Sequence, residues 1–484
     1  MSANWPILTL GDVCEKITDG AHNSPKSVEI GKPMASVKDL TRFGVDLSEA
    51  RLINNDEFEK LVKQGCKPEV GDVLIAKDGN SALDTVCTVD EELDAVLLSS
   101  VAILRPNKEK LDADFLKYYF CSKSTIHYLK GNFISGAAIP RVVLKDFRKA
   151  EIKVPPLYSQ KNISSILRNF DDTIQLNQTI NQSLEQIAQA IFKSWFVNFD
   201  PVKAKIAARK ALIAEYQTQS GKAPSPQEIA EVEKQAAIAA IAGAGDIIPT
   251  AQLQTLADLF PNQLVESELG EIPEGWGLKA VGDFCNTFDY VANGSFKSLK
   301  ENVTLYDEPN EVLYIRTTDY NKSFNGALKY TDESSYEFLK KSKLFGKEVI
   351  ISNVGDVGTV FRAPVWLDMP MTLGSNAVAL DSLEYNSYIF WLFRSDYGQH
   401  LIQSIVTGSA QLKFNKTNLR SLELLWPSEQ LLKHFEIIES SICDLFNSNS
   451  KQQKQLEELR DTLLPKLLSG EIELETNQRD LVNG

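Results

Sequence analysis

The sequence repeats once along its length, at a spacing of about 272 residues. Tryptophan, Gly-Asp and cysteine occur at matching places in Trp5–Cys14 and Trp276–Cys285. An ordered series of further matches follows, which chance similarity between short apolar segments would not produce. These matches are Gly71–Gly79 with Gly346–Gly355, Ser99–Leu104 with Ser375–Leu380, Ser135–Ala138 with Thr407–Ala410, and Lys153–Pro156 with Leu425–Ser428. The chain is therefore predicted to form two similar domains.

Each copy mixes strand and helix patterns, which predicts an α+β domain over residues 1–155 and again over residues 276–427. Short β-rich runs such as Val73–Ala76 and Val349–Ser352 are bounded by Gly, Asp and Asn. Longer stretches of helical character, Asp114–Leu129 and Tyr385–Ile402, are interspersed between them.

A heptad pattern follows each copy, over residues 156–200 and residues 428–470. In the first stretch the predicted core rows are Ile163, Phe170, Asn177, Leu184 and Ile191, with Ile166, Thr173, Ile180, Ile187 and Ser194. In the second they are Phe435, Ile442, Asn449, Leu456 and Leu463, with Ile438, Leu445, Gln452, Leu459 and Lys466. Helices of roughly 40 residues would be about 60 Å long. We predict that they pair antiparallel as a coiled-coil spacer joining the two domains, with pseudo-two-fold symmetry.

Asn177 and Asn449 occupy the same heptad position near the middle of their helices. Polar groups at a core position can set the register of paired helices at some cost in stability. We predict that the two asparagines lie near each other at the centre of the pair. The alternative is that both are solvated positions in an imperfect heptad.

Residues 201–275 have no counterpart in the second half and are predicted to form a helical insertion and connector. Val202–Gln217 and Gln227–Ala242 are rich in alanine and charged residues, as helices often are. Residues 471–484 form a C-terminal tail.

The formal net charge of -14 argues against a general nucleic-acid binder, since phosphate contacts need lysine and arginine. DNA binding would then require a locally basic face or a contribution from partner subunits. No apolar stretch approaches the roughly 20 residues that cross a bilayer, so no membrane contact is predicted. The six cysteines are scattered without metal-ligand spacing, which favours free thiols in the cytoplasm and no metal site.

Three segments have distinctive sequences: Lys193–Lys205 after the first long helix, Ala257–Trp276 at the opening of the second domain, and Leu463–Ile472 near the end of the chain. All three resemble the specificity subunits of type I restriction-modification systems. The resemblance extends to the order of parts along the whole chain. It implies two target-recognition domains, a helical spacer, and a non-catalytic subunit that reads a bipartite, asymmetric DNA target.

The resemblance also implies the partners, which are double-stranded DNA, two modification (methyltransferase) subunits and restriction (motor-nuclease) subunits. S-adenosylmethionine, ATP and Mg would be bound by those partners, and no cofactor by this chain. In agreement, the only approach to a phosphate-binding loop, Ser220–Ala223, lacks the leading glycine and the final hydroxyl.

Candidate DNA contacts are polar residues in loops that follow predicted strands, because Arg, Lys, Asn and Gln contact phosphates and base edges. In the first copy they are Lys77, Asp78, Asn80, Arg141 and Lys145. In the second copy they are Asn353, Gln411, Lys413, Asn415 and Lys416. Two other functions remain open, a self-sufficient methyltransferase or nuclease module and a two-lobed scaffold that does not bind DNA.

Overall fold

The computed structural model describes residues 5–136, 140–219, 221–244, 247–408 and 411–472. The chain divides into two compact units, residues 1–177 with 452–484 and residues 178–451. Residues 473–484 of the predicted tail lie outside the described residues.

The first domain combines short strands with helices. Its strands are β1 (Ile7–Thr9), β2 (Cys14–Asp19), β3 (Ser27–Ala35), β4 (Leu40–Thr41), β5 (Gly44–Val45), β6 (Arg51–Ile53), β7 (Val73–Ala76), β8 (Val86–Thr88), β9 (Val96–Leu97), β10 (Val101–Pro106), β11 (Ile134–Ser135), β12 (Arg141–Val142) and β13 (Glu151–Lys153). Its helices are α1 (Leu10–Val13), α2 (Asn55–Lys63), α3 (Ala113–Cys121), α4 (Lys123–Phe133) and α5 (Leu144–Phe147), and the long helix α6 (Leu157–Phe192) follows.

Three helices and a hairpin lie between the long helix and the second domain. They are α7 (Asp200–Gln219), α8 (Pro226–Ala244), α9 (Thr250–Leu259), β14 (Leu264–Ser267) and β15 (Gly270–Pro273). The hairpin corrects the expectation of a purely helical insertion. Its turn needs Gly270 in the left-handed region, at φ +89°, which glycine adopts without steric cost.

The second domain repeats the elements of the first. Its strands are β16 (Gly277–Ala280), β17 (Asn286–Asp289), β18 (Leu305–Tyr306), β19 (Val312–Ile315), β20 (Tyr330–Thr331), β21 (Lys343–Leu344), β22 (Val349–Ser352), β23 (Val360–Phe361), β24 (Met371–Leu373), β25 (Ala377–Asp381) and β26 (Glu423–Trp426). Its helices are α10 (Val281–Phe284), α11 (Phe296–Asn302), α12 (Thr317–Tyr320), α13 (Glu333–Phe338), α14 (Asn386–Arg394), α15 (Asp396–Ser404) and α16 (Lys416–Arg420), before the long helix α17 (Glu429–Ser469).

The two domains share the topology of their central sheets, which confirms the predicted duplication and the α+β class. The central sheets have strand orders β2-β10-β7-β8 and β17-β25-β22-β23, with antiparallel neighbours in both. A second sheet in each domain contains one parallel pair, β3 with β9 and β19 with β24. The first strand of each domain pairs with the last, β1 with β13 and β16 with β26, so the entrance and exit of each domain meet.

The central strands read as continuous apolar runs because both faces of each central sheet are covered. In β7, Val73 and Ile75 pack into one hydrophobic cluster, while Leu74 packs into another on the opposite face. In β22, Val349 and Ile351 belong to one cluster and Ile350 to another. Alternation along the strand thus divides an apolar run between two cores.

The two stretches of predicted helical character each contain two helices. The first breaks at Ser122, between α3 and α4, and the second at Ser395, between α14 and α15. The Ser395 side chain accepts a hydrogen bond from the Gly398 amide, which caps α15. A serine cap inside an apolar-periodic stretch leaves the periodicity intact, so the sequence pattern did not reveal the break.

The long helices run antiparallel in each compact unit. In the first unit, Asn177 of α6 donates to Gln452 of α17 at 2.9 Å, and Arg460 of α17 donates to Asp171 of α6 at 2.8 Å. In the second unit, the rings of Phe192 and Phe435 lie 5.9 Å apart. Along α6 the sequence numbers rise as those of the partners on α17 fall, as antiparallel pairing requires.

One of the two predicted core rows lies in the helix core in both helices, whereas the other is wrong except at Ser194 and Ile438, which are buried. Ile163, Leu184, Ile191, Phe435 and Ile442 are buried as predicted. The second row lies one residue later than predicted, so Leu445 and Leu459 are 48% and 47% exposed. Its buried members are Leu167, Ile174, Asn181, Ala188 and Trp195 in α6, and Glu439, Arg460 and Leu467 in α17. Apolar residues spaced by three or by four positions both give an amphipathic stripe. The buried row contains charged residues, so the hydropathy pattern favoured the neighbouring row instead.

Asn177 and Asn449 each take a partner on the opposite helix. Asn177 donates to Gln452, and Asn449 donates to the Asn181 side-chain oxygen at 3.0 Å. Asn181 in turn donates to the Ser450 hydroxyl at 3.0 Å. The proximity of Asn177 to Asn449 stays a prediction, because these bonds join each of them to a different residue.

Candidate nucleic-acid interface

A loop at the end of strand β7 is tied by backbone bonds to the segment before helix α5. The Gly79 amide donates to the Pro140 carbonyl at 2.9 Å, and the Val142 amide donates to the Lys77 carbonyl at 3.0 Å. Asp78 and Arg141 form a β-bridge between these two bonds. The first domain thus brings together the two loop segments in which DNA contacts were predicted. We call this arrangement, residues 77–80 with 140–142, the first loop clasp.

The second domain builds the same clasp at the end of strand β22. The Gly355 amide donates to the Leu412 carbonyl at 3.2 Å, and the Phe414 amide donates to the Asn353 carbonyl at 3.1 Å. Val354 and Lys413 form the β-bridge. Residues 353–356 with 411–414 are therefore the second loop clasp, and the hydrogen bonds equate Lys77 with Asn353 and Gly79 with Gly355.

A lysine–aspartate ion pair lies at the corresponding sheet edge of each domain. Lys77, which is buried, bonds Asp19 at the end of β2. Asp289 at the end of β17 is bonded instead by Lys416 at 2.9 Å, from the start of α16. The acidic residue has the same place in both domains, while its cationic partner comes from different segments. Lys77 and Lys416 therefore serve the fold, and the ammonium group of Lys77 is poorly placed to contact a phosphate.

The remaining candidates in the first domain lie mostly at the surface. Asn80, Arg141 and Lys145 are exposed. Arg141 Nε lies 3.3 Å from Asp78 Oδ1, a pair whose arginine side chain is 61% exposed. Exposed ion pairs of this kind are weak, so the guanidinium of Arg141 is able to exchange Asp78 for a phosphate.

In the second domain Gln411, Lys413 and Asn415 are exposed. The Asn415 side chain accepts from the Asn418 amide at 2.8 Å and so caps α16. Asn353 is half-buried, and its amide nitrogen donates to the Phe414 carbonyl at 3.4 Å. The cap and the half-buried amide explain Asn415 and Asn353 structurally, and DNA contact by any of the ten residues stays a prediction.

Sequence reasoning missed Asp356, which follows Gly355 as Asn80 follows Gly79. Its Oδ2 atom accepts from Asn321 Nδ2 at 2.8 Å and from the Thr359 hydroxyl at 3.0 Å. The side chain is exposed beside an open cleft of about 370 Å³, lined in part by Tyr320 and Arg394. Extending the repeat alignment by one residue beyond each glycine would have found it.

A buried charge cluster joins the first domain to both long helices in its unit. The Asp171 carboxylate of α6 accepts from Arg42 Nε, Lys117 Nζ, the Tyr118 hydroxyl and Arg460 Nη1. Burial raises the pKa of Asp171, but the charges of the three cations outweigh this effect and hold the pKa below its ordinary value.

A second cluster ties the second domain to α17. Buried Glu439 accepts from Arg362 Nη1 at 2.8 Å and from Trp391 Nε1 at 3.1 Å. It also accepts from the Ser387 hydroxyl. Each domain is therefore fixed to a spacer helix through a buried carboxylate, and these two residues account for charges in the helix core.

Neither a metal centre nor a membrane-spanning helix is found in the part of the chain that the structure describes. There, His, Cys, Asp and Glu side chains do not gather into groups of three that could hold an ion. The described helices are not long and apolar enough to cross a bilayer. All six cysteines are free thiols.

Comparison with known proteins relates both halves to one family. A family model described as "Type I restriction modification DNA specificity domain" matches residues 2–186 and residues 273–458. Each match spans one domain and most of the helix that follows it.

Relatives that align with about three quarters of the chain have the corresponding description. The specificity subunit of the type I restriction enzyme HindI from Haemophilus influenzae is 28% identical over 404 residues, covering 79% of this chain and 83% of that protein. The MjaIX specificity subunit from Methanocaldococcus jannaschii is 24% identical over 377 residues, covering 76% and 71%. The crystal structure of a type I S subunit from M. genitalium matches the fold with a TM-score of 0.51 at 12% identity, covering 96% of each chain.

Proposed function

The chain belongs to the type I restriction-modification DNA specificity family, and on that premise we propose that it reads a bipartite, asymmetric DNA target for partner subunits. The observation that carries the proposal is the duplicated loop clasp. Both domains present polar loops on the same backbone frame, yet their side chains differ at equivalent positions. A domain that keeps its frame and changes its exposed side chains is suited to reading different bases.

The chain itself acts without catalysis in this proposal. Methyl transfer to adenine and DNA cleavage would be carried out by two modification subunits and by restriction subunits. These partners would bind S-adenosylmethionine, ATP and Mg. The net charge of -14 supports a need for partners, since much of the phosphate contact would come from their cationic groups.

The proposal is tested by selecting DNA from a random pool with the chain assembled on its modification subunits. We expect retention of one motif made of two different half-sites separated by a gap. A chimera in which residues 1–155 come from another family member should change one half-site and keep the other. If both half-sites change together, or no split motif is retained, the proposal is wrong.

The isolated chain serves as the control for catalysis. It is incubated with DNA, magnesium and S-adenosylmethionine, and we expect neither methyl transfer nor cutting. Either activity in the absence of partners would overturn the non-catalytic role.

A further inference from the structure

The loop clasps equate two exposed residues of different chemistry, Asn80 and Asp356. Backbone bonds fix Gly79 and Gly355 at equivalent places, with φ angles of +91° and +83°. The next residue in each loop is exposed, an amide in one domain and a carboxylate in the other. The structure thus aligns these two side chains independently of their sequence similarity.

The carboxylate of Asp356 is oriented by its own loop and retains one open oxygen. Asn321 and Thr359 both donate to Oδ2. Oδ1 has no partner among the described residues, and the adjacent cleft leaves room for an approaching group. A fixed carboxylate with one free oxygen accepts hydrogen bonds and cannot donate them.

Only some base edges suit a carboxylate. In the major groove, guanine offers two acceptors and thymine an acceptor and a methyl group, so neither donates to Asp356. Adenine offers an amino donor beside the N7 acceptor, which repels a carboxylate. Cytosine offers its N4 amino group without that neighbour, and it is the base that aspartate suits best.

Asparagine at the equivalent place suits adenine. Its amide donates to N7 and accepts from the N6 amino group in one bidentate contact. The Asn80 side chain is exposed and has no partner among the described residues, so the amide is able to make both bonds.

We propose that Asn80 and Asp356 are equivalent specificity-determining residues, Asn80 for an adenine in one half-site and Asp356 for a cytosine in the other. This inference rests on the proposed function, because it assigns bases to the two domains. It names one position in each half-site and leaves the other positions to the remaining loop residues.

The test exchanges the two chemistries in the assembled complex and repeats the selection from a random pool. Asp356→Asn should replace cytosine by adenine at one position of one half-site, and Asn80→Asp should do the reverse in the other half-site. The base preference at each position should change by about 5- to 150-fold, the range of a good base contact. Asp283→Asn, another exposed aspartate of the second domain, is the matched control and should leave the motif unchanged.

The outcomes separate this inference from the proposed function. If the unaltered chain selects a split motif and both variants select the same motif, the assignment of Asn80 and Asp356 is overturned and the proposed function stands. If the unaltered chain selects no split motif, the proposed function itself fails, and the assignment fails with it. A folded variant that loses affinity for every sequence alike also overturns the assignment, since the residue would then contribute affinity and not specificity. Should Asp356→Asn fail to fold, Asp356→Ser replaces it and should lose the cytosine preference.

Discussion

Replacing Asp171 with asparagine should destabilise the first compact unit by about 3–5 kcal/mol, the usual cost of breaking a buried ion pair from one side. The carboxylate accepts hydrogen bonds from Arg460 at 2.8 Å, Tyr118 at 3.0 Å, and Lys117 and Arg42 at 3.2 Å. Asparagine keeps the shape but removes the negative charge and turns one acceptor into a donor.

The magnitude follows from how little solvent reaches the cations. The side chains of Lys117 and Arg460 are 7% and 8% exposed, so water cannot replace the lost carboxylate there. Arg460 also bonds Asp461, and this bond compensates part of the charge interaction that Arg460 loses when the Asp171 carboxylate is removed. The Arg42 side chain is 28% exposed and recovers some hydration. The charge of Lys117 is the least compensated of the three. Because the other two cations recover part of their interactions, we expect a destabilisation near the lower end of this range, about 3 kcal/mol.

Hydrogen exchange measured by mass spectrometry is the suitable assay, since one denaturation midpoint would average two units. Peptides from α3 and from residues 157–177 should lose protection in Asp171→Asn, while peptides from residues 178–451 should not. Asp172→Asn changes the neighbouring, exposed aspartate and should cost no more than about 0.5 kcal/mol. Equal protection in the two variants would refute the reasoning that the Asp171 cluster stabilises this unit.

The remaining predictions concern the pH dependence of the Asp171 cluster, the backbone space at two glycines and one phosphate contact. The difference in hydrogen-exchange protection between the unaltered chain and Asp171→Asn should persist above about pH 4 and shrink below it. The reason is that the pKa of Asp171 is lowered in the folded state, so the stability that its carboxylate contributes is lost when it is protonated. A difference independent of pH would contradict this. Gly243→Ala should stabilise α8 by up to about 1 kcal/mol, since its new Cβ meets nothing within 4 Å. Gly398→Ala should instead destabilise α15, because its Cβ would lie 2.0 Å from the Leu392 carbonyl oxygen. Hydrogen exchange should therefore show increased protection of α8 peptides in Gly243→Ala and decreased protection of α15 peptides in Gly398→Ala. Lys145→Ala should weaken DNA retention for all sequences alike and lower the salt slope by about 1, whereas a changed target motif would argue against a phosphate contact.

The break of the predicted helices and the shifted core row show where local patterns are insufficient. Periodicity records which residues are apolar, and both a three-residue and a four-residue spacing satisfy it. The true row of α17 includes Glu439 and Arg460, which hydropathy rejects. They are buried because Arg362 and Asp171 neutralise them, and those partners come from distant parts of the chain.

The sequence likewise predicted one part of the candidate site, the position of its loops, and did not predict another, the burial of their side chains. Loop position predicted DNA contacts in residues 77–80 and 141–145, and the structure brings most of these residues together in the first loop clasp. The burial of the Lys77 side chain could not be predicted, because its partner Asp19 is distant in sequence and lies beside it only in the folded domain. The equivalent aspartate, Asp289, takes Lys416 instead, so even the repeat did not reveal the partner.

The sequence by itself determined the duplication, the α+β class and the presence of two long helices, because repeats and hydrophobic periodicity are properties of the chain alone. Tertiary structure decided which charges are buried, which helix faces meet and which loops lie together. These depend on groups far apart in sequence: Asp171 lies more than a hundred residues from Arg42, and the Gly355 amide bonds the Leu412 carbonyl of a different loop. The repeat by itself pairs Asn80 with Asp356, and the tertiary structure adds that both side chains are exposed.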